Sequence, residues 1–408
     1  MNDSNQTSGI GFGEFVALMA MVSSLAALST DAMLPALSVI AEDLGIQRRN
    51  DAQLVISILF LGMATGQVIF GPLSDSSGRK PAVYAGYVFF VAGCLLSLFS
   101  DNLTTMLVGR FLQGFGIAGP RSVSMALIRD LYEGREMARI MSFIMTVFIL
   151  VPIVAPALGQ GILLVAEWRA IFGSFLVLAV TSVVWFGVRQ PETLPRARRQ
   201  SYSFVRVYSA GREVLATRSS LGFTVAAGLA SGGFIGYLNS SQQIFQDAYQ
   251  VGDRFALYFA ILASSLGMAS FANGKMVVRY GMRSLSTWAL RTLAVLSAVF
   301  LAVAFLQGGL PAFWSFIVYM MLAFFCVGVL FGNLNSLAME PLGHIAGVGA
   351  AVVASLSLAT SAILGAWIGQ SYNGTILPLV GGFGGLSLLA LAAVSWASGG
   401  EQVHNSRA

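Results

Sequence analysis

Asp31 and Arg110 are the residues of this chain whose types and setting could do chemistry, because each stands inside a long apolar run. A charge in such surroundings is costly and usually faces a cavity or an opposite charge. Asp31 is the only acid well inside a run. When ionised it attracts a guanidinium, and protonation removes that attraction. A solute that favours the deprotonated state can then exchange for the proton. A second group of charges lies in "GPLSDSSGRKP", residues 71–81, where Asp75, Arg79 and Lys80 are framed by Gly71 and Gly78. A carboxylate there needs a nearby guanidinium or a helix N-terminus. Arg79 and the Arg129–Asp130 pair are its expected partners. This is charge pairing and proton exchange, not bond making. The chain has no HExxH, no GxSxG and no Walker-type phosphate loop. Cys94 and Cys326 lie in apolar runs, where packing is the usual role, and His344 and His404 lie outside them. No catalytic residue, metal site or cofactor is expected.

The elements that must position these residues follow from composition. The 408 residues are 56% hydrophobic and only 10% charged, against about 25% charged in an ordinary soluble domain. Lipid is therefore the expected solvent. Residues 52–74, 82–100, 140–166, 170–188, 219–246 and 255–274 carry no charge. Neither do 292–339, broken by "GGLP", nor 345–400, broken by "YNGTILP". With the first run (residues 12–34, read as a retained span) and 103–129, this predicts an all-α membrane protein of twelve transmembrane helices. β-Barrel alternation is absent. Asp31 is placed near the outer third of the first helix. Arg110 lies about 10 Å from the outer edge on the fourth, so the two share a depth.

Loop charges set the orientation. One side carries only Arg48, Arg49, Arg169 and Arg254, while the other holds most of the Lys and Arg. That bias puts both termini in the cytoplasm. The net charge of +5 is spread over short loops without aromatic interleaving, which argues against nucleic acid as a partner. The longest charged loop contains "RARRQ" at 196–200. It reads as a positive-inside anchor, with lipid binding or regulation as the alternative. It divides the chain into an N-terminal six-helix bundle (1–190), a basic linker (191–218) and a C-terminal six-helix bundle (219–408). "GKMVVRYGMRS", from Gly274, echoes "GPLSDSSGRKP" between the second and third helix of its half, with Val278 in place of Asp75. Such an echo indicates duplication into two pseudo-symmetric bundles.

Gly71, Asp75, Gly78, Arg79 and Lys80 resemble the G-x-x-x-D-x-x-G-R-[RK] signature loop of the major facilitator superfamily. The resemblance covers nearly the whole chain. "STDAMLPAL" around Asp31 and "RFLQGFGIAG" from Arg110 resemble drug:proton antiporters, especially the bicyclomycin and chloramphenicol resistance branch. "VPIVAPALGQG" resembles the fifth-helix antiporter motif, with Pro152, Pro156 and Gly159 retained and Ala155 as a departure. "WRAIF", "PETL" and "AMEPLGHIAG" resemble further borders in that group. The resemblance implies a cytoplasmic latch at Asp75–Arg79 and proton coupling at Asp31 and Arg110. Some relatives carry a second acid two turns before the Asp; here Ser23 stands there, which favours neutral or zwitterionic substrates.

The resemblance therefore implies proton-coupled efflux of small amphipathic drugs across a bacterial inner membrane by alternating access. Its partners are the substrate, protons and the lipid bilayer, and a monomer is expected. The alternatives are a dedicated exporter of one metabolite, sugar or siderophore, a solute:proton symporter, or a receptor of this fold. The candidate cavity residues are Ser23 and Gln113 in the first half. In the second half they are Tyr237, Asn239, Gln243, Asn333 and Asn335.

Overall fold

In lipid every backbone N–H and C=O must find its partner within the segment, which leaves helices as the solution for long apolar runs. The computed structural model describes residues 10–405. Among them the regular structure is helical, with no strand. The helices are α1 (Phe12–Asp31), α2 (Leu37–Asp43), α3 (Leu54–Ser77), α4 (Arg79–Leu98), α5 (Leu103–Leu131), α6 (Gly134–Val165) and α7 (Arg169–Arg189). They continue as α8 (Phe204–Ala216), α9 (Arg218–Gln242), α10 (Phe255–Tyr280), α11 (Met282–Leu306), α12 (Phe313–Met339), α13 (Ala346–Gln370) and α14 (Leu377–Asn405). Nine helical stretches among the described residues are long and apolar enough to cross a membrane. One of them, Phe313–Gln370, holds both α12 and α13. α5 and α6 fall outside the nine. α5 interrupts its apolar run with Arg110, Gln113 and Arg121. α6 contributes the apolar helical stretch Leu150–Val165, with Pro152 and Pro156 inside it.

The distribution of side chains is inverted relative to a soluble protein. Arg110 is fully buried, while Val88, Val177, Val188, Phe271 and Leu306 are exposed. An apolar exterior of this kind suits contact with acyl chains.

The chain forms two compact units. The first comprises the residues up to Gly45 together with Ile58–Phe204. The second comprises Ile46–Ser57 together with the residues from Val205 onward. In the first unit α4 and α5 meet through glycines. A methyl group on Gly93 would lie 2.5 Å from the Gly109 carbonyl, and one on Gly86 would lie 2.6 Å from the Gly116 carbonyl. Small residues let backbones approach where lipid offers no hydrophobic driving force between helices. α1 packs on α6 and α7. Near its start, Glu14 accepts hydrogen bonds from Trp185 Nε1 (3.1 Å) and from Arg189 Nε (2.6 Å) and Nη2 (2.7 Å). In the second unit α9 is the central helix, packed against α12, α13 and α14. It ends in a π-helical turn, Gln243–Ala248.

Two local features differ in extent from the sequence reading. The stretch 71–81 is nearly all helix: α3 runs on to Ser77, and α4 starts after the single residue Gly78. The Ser74, Ser76 and Ser77 hydroxyls donate to carbonyls three or four residues back, so the polar residues continue the helix. Within the basic linker a 13-residue helix, α8, has formed. The internal echo is visible in the backbone. Gly78 (φ 108°, ψ 165°) and Gly281 (φ 75°, ψ 156°) adopt similar left-handed conformations at matching turns, where a glycine avoids the Cβ penalty.

Candidate functional site

Arg110 sits in the third turn of α5, a helix started by Asn102, whose Oδ1 accepts the Thr105 N–H at 2.9 Å. The guanidinium has no exposed surface. Its Nη2 donates to the Ser29 carbonyl on α1 at 2.8 Å, and its Nη1 donates to Gln113 Oε1 at 2.7 Å. The Phe172 ring lies 6.0 Å from its central carbon. Gln113 passes the chain on, its Nε2 donating to Cys94 Sγ at 3.0 Å. Arg110 thus docks on α1 two residues before Asp31, which is itself buried at the end of that helix. The Asp31 carboxylate shows no ion pair of its own among the described residues. The next residue, Ala32, presents its carbonyl to Gly159 of α6, so close that a Cβ on Gly159 would overlap it. Asp31, Arg110, Gln113 and the antiporter-motif glycine therefore gather around one end of α1. Pro152 and Pro156 lie in the interior of α6. Ser23 is half-buried on α1.

The charges of 71–81 form one connected cluster in the first unit. Arg79 Nη1 donates to Asp75 Oδ1 at 2.6 Å and to Ser74 Oγ at 2.9 Å. Its Nε donates to Asp130 Oδ2 at 2.9 Å, and Thr193 Oγ1 donates to the same oxygen at 3.1 Å. The Arg79 side chain is nearly buried. One planar fork thus holds two carboxylates on two helices, a task for which arginine is shaped. Gly71 lies within α3, its carbonyl accepting from Ser74 Oγ. Lys80 Nζ donates to the Gly187 carbonyl at 2.8 Å. Arg129 stands apart, its Nε directed to the Met125 carbonyl at 3.4 Å.

Glu192 is the member of this cluster that sequence reasoning did not assign. Its Oε1 accepts the Arg79 N–H (2.9 Å) and its Oε2 the Lys80 N–H (3.1 Å), capping α4 from outside the helix. A carboxylate at a helix N-terminus meets both unpaired donors and the positive end of the dipole. It also explains Gly78, where a Cβ would fall 2.6 Å from Glu192 Oε2. Glu192→Ala is expected to cost about 1–2 kcal/mol of stability, read as a lower thermal midpoint of the purified protein. An unchanged midpoint would mean that water caps α4 equally well.

The second-half candidates separate into four settings. Asn239 and Gln243 join a buried amide network with residues 50–57. Asn239 Nδ2 donates to Ser57 Oγ at 2.7 Å, Gln243 Nε2 to Asn50 Oδ1 at 3.1 Å, and Gln53 Nε2 to Gln243 Oε1. Asn50 Nδ2 is shared by the Gln370 and Tyr372 carbonyls, at 3.0 and 2.9 Å. Tyr372 Oη reaches the Gln243 carbonyl at 3.3 Å. Tyr237 is buried among Phe324, Phe259 and Phe245, with ring centroids at 4.8, 5.8 and 6.4 Å. Asn333 pairs with Asn273 through two amide hydrogen bonds, at 2.8 and 3.2 Å. Asn335 turns back to the Phe331 carbonyl of its own helix. No group of three or more His, Cys, Asp or Glu residues able to hold a metal is present among the described residues.

Apolar spans, an apolar exterior and buried charges define a multi-pass membrane protein. Residues 19–366 match the Major Facilitator Superfamily, and the chain belongs to that family. It is a transporter of small molecules, not an enzyme. It is 30% identical to an uncharacterized MFS-type transporter, YdgK, of Bacillus subtilis (strain 168), over 86% of this chain and 87% of that protein. It is 29% identical to a bicyclomycin resistance protein homolog of Haemophilus influenzae, over 93% and 94%. It is 30% identical to the multidrug resistance protein MdtL of Klebsiella pneumoniae (strain 342), over 90% and 91%. The solved structure of a D-xylose-proton symporter superposes with a TM-score of 0.73 at 13% identity, covering 94% of this chain and 97% of that one. That likeness concerns the fold alone.

Proposed function

We propose that the protein exports small amphipathic drugs across the bacterial inner membrane in exchange for protons, by alternating access. In this reading α5 and α6 also span, giving twelve transmembrane helices, and both termini face the cytoplasm. The protein works as a monomer, with the proton gradient in place of a cofactor. The observation that carries the reading is the fully buried Arg110, bonded to α1 beside the buried Asp31. Intramembrane charges at such expense are functional sites by default. Asp31 carries the exchanged proton. Arg110 holds α1 and senses the charge on Asp31. Asp75, Arg79 and Asp130, with Gly78 and Lys80, form the cytoplasmic latch. Relatives named for bicyclomycin resistance and multidrug resistance support drugs as the cargo. Tyr237 and its aromatic neighbours, with Asn239 and Gln243, are buried in this structure and combine apolar rings with a few polar groups, the composition that suits amphipathic ligands when alternating access opens them.

Energised inside-out vesicles test the proposal. Adding a panel of amphipathic drugs is expected to collapse the pH gradient in wild type, and Asp31→Asn is expected to abolish the response while leaving drug binding. An equal response in both proteins would move the proton site elsewhere. Silence with every drug would replace multidrug export by a dedicated metabolite exporter.

A further inference from the structure

α8 presents two stripes of apolar side chains, and only one of them is used by the protein. Ala210 and Val214 are buried and Val207 is half-buried, at the helical spacing of one face. Beside this face Glu213 Oε1 meets His344 Nε2 at 2.6 Å. The other stripe is Phe204, Tyr208 and Leu215, with Val205 alongside. These residues are 76%, 74%, 53% and 75% exposed. Arg212, also exposed, projects from the midst of that stripe.

Three observations together identify what covers it. First, the chain fixes the level of the helix. Only Thr217 separates α8 from α9, a stretch apolar enough to span the membrane, so Leu215 lies within a turn of the membrane boundary. Second, the charge has one sign. Arg206 and Arg212 lie on α8. Glu213, the only acid of the helix, is engaged by His344. Third, the stripe carries aromatic residues next to arginine, the composition of helices that lie in the interface plane.

We propose that α8 rests on an anionic phospholipid leaflet. Its Phe204–Tyr208–Leu215 stripe sinks to the boundary between headgroups and acyl chains, and Arg212 binds lipid phosphate. Val207, Ala210 and Val214 face the protein, so the helix is held between the two. A soluble acidic partner could match the charge, but it would have to reach a stripe that the connection to α9 already holds at the bilayer surface.

The test uses the full chain with Cys94 and Cys326 replaced by serine and an environment-sensitive fluorophore on Leu215→Cys. A matched probe on Ser209→Cys, outside the stripe, reports water exposure. In vesicles of phosphatidylethanolamine and phosphatidylglycerol, the probe at 215 is expected to be shielded from iodide and quenched by spin-labelled lipid, while that at 209 stays iodide-accessible. Replacing phosphatidylglycerol with phosphatidylcholine should weaken the shielding. So should Arg212→Gln, by about five-fold in the docked-to-free ratio. Thermal midpoints of the variants check that they are folded. Iodide access at 215 in every lipid would overturn the proposal. So would shielding that ignores both lipid charge and Arg212, because a soluble partner or apolar insertion alone would then account for it. The readout does not involve transport, so it stands or falls separately from the transport reading.

Discussion

Vesicles carrying Arg110→Lys are expected to show no drug-triggered loss of their pH gradient, a fall of about 100-fold or more in exchange rate. The charge is kept in this variant, so the effect isolates geometry. The guanidinium donates in two directions at once, to Ser29 on α1 and to Gln113 on its own helix. An ammonium is a point charge on a flexible stem and cannot reproduce the fork. Each hydrogen bond from a buried charged donor is worth about 1.5–3 kcal/mol, and lysine forfeits at least one of the two. If about 3 kcal/mol is felt in the exchange step, the rate falls about 100-fold. Arg110→Ala is expected to be worse, since it also leaves the Ser29 and Gln113 oxygens unpaired in a dry site. Cys94→Ala, which removes the far end of the Arg110–Gln113–Cys94 chain, should leave transport near wild type. Wild-type rates in Arg110→Lys at matched expression would show that charge alone suffices and would sink the positioning role.

Gly159→Val is expected to disable the protein by a different route, through packing. A Cβ at this position overlaps the backbone carbonyl of Ala32, and a backbone atom cannot swing aside as a side-chain tip can. α1 and α6 must separate, which moves Asp31 relative to Arg110. The cost should lie near about 3 kcal/mol, the upper end for overpacking. It is read as a lower thermal midpoint together with lost exchange. Gly161→Ala is the control. Two residues further along, a Cβ meets nothing within 4 Å, so alanine should be neutral or stabilising by up to about 1 kcal/mol through helix propensity. Equal behaviour of the two variants would show that the α1–α6 approach is not needed.

The contrast between these two glycines shows where reading along the chain stops. Both stand in the same apolar stretch, and the antiporter motif marks Gly159, but the reason is a carbonyl 127 positions away in sequence. Asp75 and Arg79 are legible as partners because opposite charges four residues apart flank a single glycine turn, even though they stand on different helices, α3 and α4. Glu192 is not legible. It caps α4 from 113 residues downstream, and a lone Glu after a helix carries no local signal of what it caps. The amide network is harder still. Asn50 and Gln370 are 320 residues apart, and uncharged amides pair with any donor or acceptor that folding brings near. α8 was within reach. Phe204, Tyr208, Gly211 and Leu215 recur at helical spacing, but the arginines before them draw attention to charge instead of period.

Membership in an all-helical, lipid-embedded class follows from the chain alone, because hydropathy and the need to satisfy backbone groups act on each segment by itself. The duplicated turn and the two charges inside apolar runs are visible for the same reason. Which atoms those charges touch depends on helices meeting at distances set by glycines, and those meetings exist only once the helices have packed. Arg110 could be singled out as a charge that needs a partner. That its partners are the Ser29 carbonyl and Gln113 was decided by the approach of α5 to α1.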